Sequence, residues 1–142
     1  LPQSVSQLGW WGLPQQSVAA LAPYVTLLPA RTTVNLNTAS AVVLWASADG
    51  LDMADAQRLV QARESSHFRS EADAAKLVGK TGAIGSATHT VSSSYFEVRG
   101  RLRLDSTVVE ERSLVFKQRG EARTLWRERG GLASAAAATA GR

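Results

Sequence analysis

The sequence predicts an α+β chain in which a small helical domain is followed by an antiparallel β-sheet. Three observations predict this. Helical apolar spacing with cap residues fills the second quarter of the chain, a Gly/Ser/Thr-rich stretch runs from Gly79 to Ser93, and strict alternation takes over from Phe96. The chain then divides into four segments: 1–30, the end of a first helical unit and a linker; 31–85, the helical domain; 86–130, the antiparallel strands; and 131–142, a frayed Ala/Gly/Ser-rich tail.

In the first segment Val18, Leu21 and Val25 recur at helical spacing. Pro23 limits that helix, and Pro29 separates it from the second segment. In the second, Asn37 or Thr38 is placed to cap a helix carrying Val42, Val43 and Leu44, with Trp45 adjoining as a packing residue. Gly50 ends that helix by permitting a positive φ. Asp52 caps the next one, with Asp55 three residues on as a short version of the capping-box acid, and Met53, Ala56, Leu59, Val60 and Arg63 share helical spacing. His67-Phe68-Arg69 reads as a connector. Ser70 and Asp73 then repeat the cap signature before Ala74, Leu77 and Val78.

The sheet has three predicted strands. In the first, Phe96, Val98, Leu102 and Leu104 form an apolar row, and Glu97, Arg99, Arg101 and Arg103 take the opposite face. Gly100 interrupts the row and marks a bulge or a close backbone approach. The second strand, Thr107 to Gln118, places Leu114 and Phe116 on one face and Val109 and Val115 on the other. Arg119-Gly120 is a turn, and the third strand, Glu121 to Glu128, carries Leu125 and Trp126.

The 142 residues contain no cysteine, which excludes disulfides and thiolate chemistry. The formal charge is +4, but acids and bases interleave along most of the chain, as on a mixed solvated surface. No run approaches the roughly 18–20 apolar residues that span a bilayer. The chain begins at Leu1 without a signal-like segment and reads as a fragment or processed product, with any membrane anchor outside it. No catalytic residue is expected. His67 and His89 sit in separate connectors with no carboxylate at ligand spacing. Gly79-Lys80-Thr81 suggests a phosphate loop, but that motif needs a glycine where Ala74 stands.

The segment Val34-Asn35-Leu36-Asn37-Thr38-Ala39-Ser40-Ala41, with the Gly50 turn and Ala54-Asp55-Ala56 beyond it, resembles a helix–hairpin–helix (SAM-like) module. Such modules occur in competence-type DNA-binding proteins and in the type II secretion minor pseudopilins of the K type. The strands Ser94 to Leu104, Arg112 to Val115 and Leu125 to Arg129 are similar to the closing strands of the K pseudopilins, and Leu21 to Pro29 fits the linker before their second helical unit.

That resemblance implies a structural role in a pseudopilus-tip complex with minor pseudopilins I and J, and H below them. It also implies contact with secreted substrate or secretin, a periplasmic location beneath an inner-membrane anchor, and an incomplete pilin-like body. It implies no cofactor except calcium, for which no ligand can be carried over; Asp105-Ser106-Thr107, Glu110 and Glu111 are the oxygen-rich residues nearest to one. DNA binding of the competence type is the alternative. The turn Asp49-Gly50-Leu51-Asp52 opposes it, because Asp52 replaces the glycine that admits a phosphate and fills the anion seat itself. The candidate partner contacts are Trp10 and Trp11, adjacent indoles that cannot both point inward, and Arg99, Arg101 and Arg103 on one strand face.

Overall fold

The structure, a computed structural model, describes residues 4–80, 82–105, 107–130 and the backbone of 133–134. It is α+β, and the chain divides into two compact units, Leu1–Ser92 and Ser93–Arg142.

The first unit opens with a 3-10 helix, Val5–Trp11, closed by Gly12 at φ +91°, and with α1, Gln15–Leu21, which begins after Pro14. The short strand β1, Val34–Asn35, leads to α2 (Ala41–Ser47), α3 (Met53–Ser65) and α4 (Glu71–Val78). The unit closes with β2, His89–Thr90, which pairs in parallel with β1. Both predicted capping boxes are present. Asp52 and Asp55 exchange side-chain and backbone bonds at the start of α3, and Ser70 with Asp73 does so for α4.

The cap of α2 differs from expectation. Ser40, not Asn37 or Thr38, accepts the Val43 N–H, because the Asn37 amide is committed elsewhere. Its Oδ1 accepts the Phe68 N–H at 2.9 Å, and its Nδ2 donates to the Phe68 and Val91 carbonyls at 3.0 Å each. Arg63 reaches from α3 to the Leu36 and Ala39 carbonyls at 2.8 and 2.6 Å. Leu36, Leu44, Ala56, Leu59 and Ala74 are completely buried, and Phe68, Val34 and Val91 pack around them. The motif Asn35-Leu36-Asn37 therefore buries one leucine and lets one asparagine staple two distant connectors. Trp45, expected to pack, is 49% exposed, since Leu44 takes the inward position of this seven-residue helix.

The second unit is an antiparallel sheet: β3, Tyr95–Leu104; β4, Thr107–Gln118; and β5, Glu121–Arg129, in that order, with β6, Ala133–Ser134, pairing with the start of β4. Apart from those two residues, the tail expected from 131 lies outside the described residues. Arg119 and Gly120, at φ +50° and +85°, make the two-residue turn between β4 and β5.

Gly100 carries neither a bulge nor a close approach. The β3–β4 register runs unbroken through Gly100 and Glu111, and a side chain at 100 would meet nothing within 4 Å. The irregularity lies between β4 and β5, where the register shifts by one at Leu114/Val115 and leaves Leu125 unpaired. Val108 and Leu114 are buried, whereas Phe96, Val98, Leu102 and Leu104 are exposed, so the apolar row of β3 is uncovered among the described residues.

Candidate functional site

The hairpin between α2 and α3 is where a helix–hairpin–helix would admit a phosphate. Gly50, at φ +85°, reverses the chain, and Leu51 is buried just before Asp52. The Asp52 carboxylate accepts the Asp55 N–H at 2.8 Å, and the Asp55 carboxylate accepts the Asp52 N–H at 3.2 Å. Two of the backbone donors at this helix start, the Asp52 and Asp55 N–H groups, are thus directed onto carboxylates of the chain itself. Asp55 is buried and also receives Arg58 and Lys80, while Lys80 Nζ stands 3.1 Å from Asp52 Oδ2.

The electrostatics follow from these bonds. Lys80, then Arg58, hold the Asp55 carboxyl far below the usual carboxylate range. The Asp55 N–H, then Lys80, lower Asp52. In return Asp55, then Asp52, raise Lys80. The cluster is a closed clasp of two carboxylates and two cations. The sequence places Asp52 correctly, but Lys80 appears there as part of a failed phosphate loop. No spacing rule links Lys80 to positions 52 and 55.

In the sheet unit, Arg99, Arg101 and Arg103 share one face of β3, as alternation requires. Arg99 Nε donates to Glu97 at 2.6 Å, Arg101 Nε donates to Glu110 across the strands at 2.8 Å, and Arg103 Nε donates to the Asp105 carbonyl at 3.2 Å. On the same face Arg112 pairs with Glu128 at 2.9 Å and lies 5.3 Å from the Trp126 ring centre. Tyr95 and Phe116 continue the face with ring centres 4.9 Å apart. Arg99, Arg101, Glu110, Arg112 and Glu128 line a shallow depression of about 500 Å³. It is mixed in charge, so it favours a polar protein surface over a polyanion.

Trp10 and Trp11 are both strongly exposed, at 79% and 65%. The sequence requires only one of the two indoles to be exposed; the 3-10 helix turns both outward. Together they form an exposed apolar feature.

Of the residues suggested for calcium, Glu110 and Glu111 are paired with the chain's own arginines, and Ser106 lies outside the described residues. Among the described residues no three His, Cys, Asp or Glu side chains gather as metal ligands. Glu110 faces Arg101, Glu111 faces Arg127 and Arg129 at 3.1 Å each, and the Asp105 carbonyl is taken by Arg103. His89 is not the connector residue expected. It lies in β2, completely buried, with Nε2 3.1 Å from Ser47 Oγ and Nδ1 2.8 Å from Thr88 Oγ1. Among the described residues no helix is long and apolar enough to cross a membrane.

Residues 34–92 match the family model described as type II secretion system (T2SS), protein K. That span covers β1 to β2 and nearly all of the helical core. The chain is also 31% identical over 130 residues, 90% of its length, to the type II secretion system protein K of Pseudomonas aeruginosa. It spans 39% of that protein's length.

Proposed function

The chain belongs to the type II secretion system protein K family, and from that premise we propose that it serves as part of a minor pseudopilin, a structural subunit at the pseudopilus tip with no reaction of its own. The observation that carries this reading is the reach of the identity. It extends over 130 residues, beyond the helical core and into the strands, which a helix–hairpin–helix shared for nucleic-acid binding would not require.

The closed hairpin supports the same reading. A phosphate arriving at the start of α3 would meet the Asp52 and Asp55 carboxylates, which already hold two of the backbone donors and Lys80. The module then contributes shape, with the Asn37 staple and the Leu36 anchor holding the connectors around it.

In this role the chain is the periplasmic portion of an inner-membrane-anchored protein, and its partners are the I and J minor pseudopilins with H. Trp10 and Trp11 supply the apolar contact. Arg99, Arg101 and Arg103 supply the polar one, with the β3 face exchanging its local pairs for acids of a neighbour. Co-purification of the full-length protein with the I and J subunits of its own system tests the proposal. A stable complex is expected, and alanine at both Trp10 and Trp11 should weaken it while leaving the unfolding of the helical unit unchanged. A full-length protein that ignores these subunits but binds duplex DNA with steep salt dependence would replace this reading with the nucleic-acid one.

A further inference from the structure

His89 is the one fully buried titratable ring among the described residues, and its hydrogen bonds define its state. Ser47 has a single hydroxyl proton, which it gives to the Leu44 carbonyl at 2.9 Å. Its oxygen can then only accept from the ring, so Nε2 carries the hydrogen. Nδ1 is left as an acceptor, and the Thr88 hydroxyl donates to it at 2.8 Å rather than to the Gly85 carbonyl at 3.4 Å. A directed chain therefore runs from Thr88 through a neutral imidazole to Ser47 and the last turn of α2. It ties β2, the final element of the helical unit, to that helix.

Among the described residues no ionised partner balances a charge on this ring. α2 (Ala41–Ser47), β1 (Val34–Asn35) and residues 82–88 contain no charged side chain. Asp49 beyond α2 and Arg31 before β1 are exposed. Arg63 is held by the Leu36 and Ala39 carbonyls, and Lys80 by Asp52 and Asp55.

We propose that His89 is a proton-operated latch: neutral, it holds β2 against the end of α2, and on protonation it releases β2 together with the segment leading to β3. Thr88 can turn its hydroxyl to accept from a charged Nδ1, so no hydrogen bond blocks protonation. The obstacle is a buried cation without a counter-charge, and release of the strand removes it.

Burial, opposed by the Gly85 carbonyl, lowers the His89 pKa from its ordinary 6.5. A lowered folded value means that the released state binds the proton more tightly. The latch is thus fully closed above about pH 6.5 and weakens as pH falls towards the folded value, the open population rising roughly tenfold per pH unit in that window. Asp52, Asp55 and Asp73 are also lowered, but from 3.8, so their contributions are lost at lower pH and do not overlap.

The test is an NMR titration of the whole chain from pH 8 to about pH 5, following the His89 ring alongside amide exchange. Below about pH 6.5, exchange at residues 88–91, corrected for its intrinsic pH dependence, should accelerate by up to roughly tenfold per pH unit while amides in the centre of α3 hold. His89→Gln keeps a donor towards Ser47 and removes the titration, so this acceleration should vanish. Amides at 88–91 that stay equally protected while the His89 ring becomes charged would overturn the proposal. So would the same acceleration in His89→Gln. If that variant does not fold, the wild-type titration decides alone.

Discussion

The two units are held together by different means. In the helical unit Leu36, Leu44, Leu59 and the small residues Ala56 and Ala74 vanish completely from solvent, and the long-range staples of Asn37 and Arg63 satisfy connector carbonyls at its margin. In the sheet unit the buried apolar side chains among the described residues are Val108 and Leu114, while the apolar row of β3 faces solvent. Its order rests on backbone ladders and exposed cross-strand ion pairs. The helical unit thus carries its own core. The sheet unit, on the described residues alone, has a surface and a register but little interior.

The contrast can be broken at its strong side first. Leu59→Ala should cost the helical unit about 2–5 kcal/mol, since a fully buried leucine leaves a cavity; urea unfolding monitored at amides of α2 and α3 reads it. Asn37→Ala should cost about 1–3 kcal/mol, because it strips partners from the Phe68 and Val91 backbone. Amide exchange at Phe68 should rise with it. Lys80→Met should destabilise less than Asn37→Ala, because Arg58 still faces Asp55.

The pH profile of Lys80→Met provides the sharper check. The folded pKa values of Asp52 and Asp55 are lowered, so their contribution is present above 3.8 and lost as pH falls. That of Lys80 is raised, so its contribution is present below 10.5 and lost as pH rises through the folded value. The variant should flatten both limbs in a stability-against-pH series. In the sheet, Arg101→Ala should cost less than about 1 kcal/mol and lose even that effect in high salt. Leu102→Ser should stay within about 0.5 kcal/mol, as Leu102 is 70% exposed. A larger loss at Leu102 would show that the row is covered after all.

What can be read from the sequence tracks how local each interaction is. The caps at Asp52/Asp55 and Ser70/Asp73 span three residues, and the alternation of β3 needs only its neighbours, so both are legible. Asn37 reads as a cap because its true partners lie 31 and 54 residues away. Lys80 closes the hairpin from 25 residues beyond Asp55, and His89 is buried by a parallel pairing with Val34 that no periodicity announces. Gly100 attracts the expectation of a bulge by its missing side chain, yet the bulge falls opposite Leu114, where no glycine marks it. The hairpin chemistry is therefore partly visible: Asp55 lies within one turn of both Asp52 and Arg58 along α3, and Lys80 comes only from the fold.

That displaced bulge bears on how the sheet finds its alignment. With the register shifted at Leu114/Val115, Arg112 stands opposite Glu128 and Glu111 opposite Arg129. Were β5 to continue without the shift, Arg112 would meet Arg127 and Glu111 would meet Glu128, two like-charge encounters in adjacent rungs. The same slip would move Trp126 to the other side of the sheet, away from Arg112. The spare residue, Leu125, thus works as a spelling check written in charge: a hairpin that zips from Arg119-Gly120 in even steps arrives at repulsion, and one that skips a letter arrives at a match.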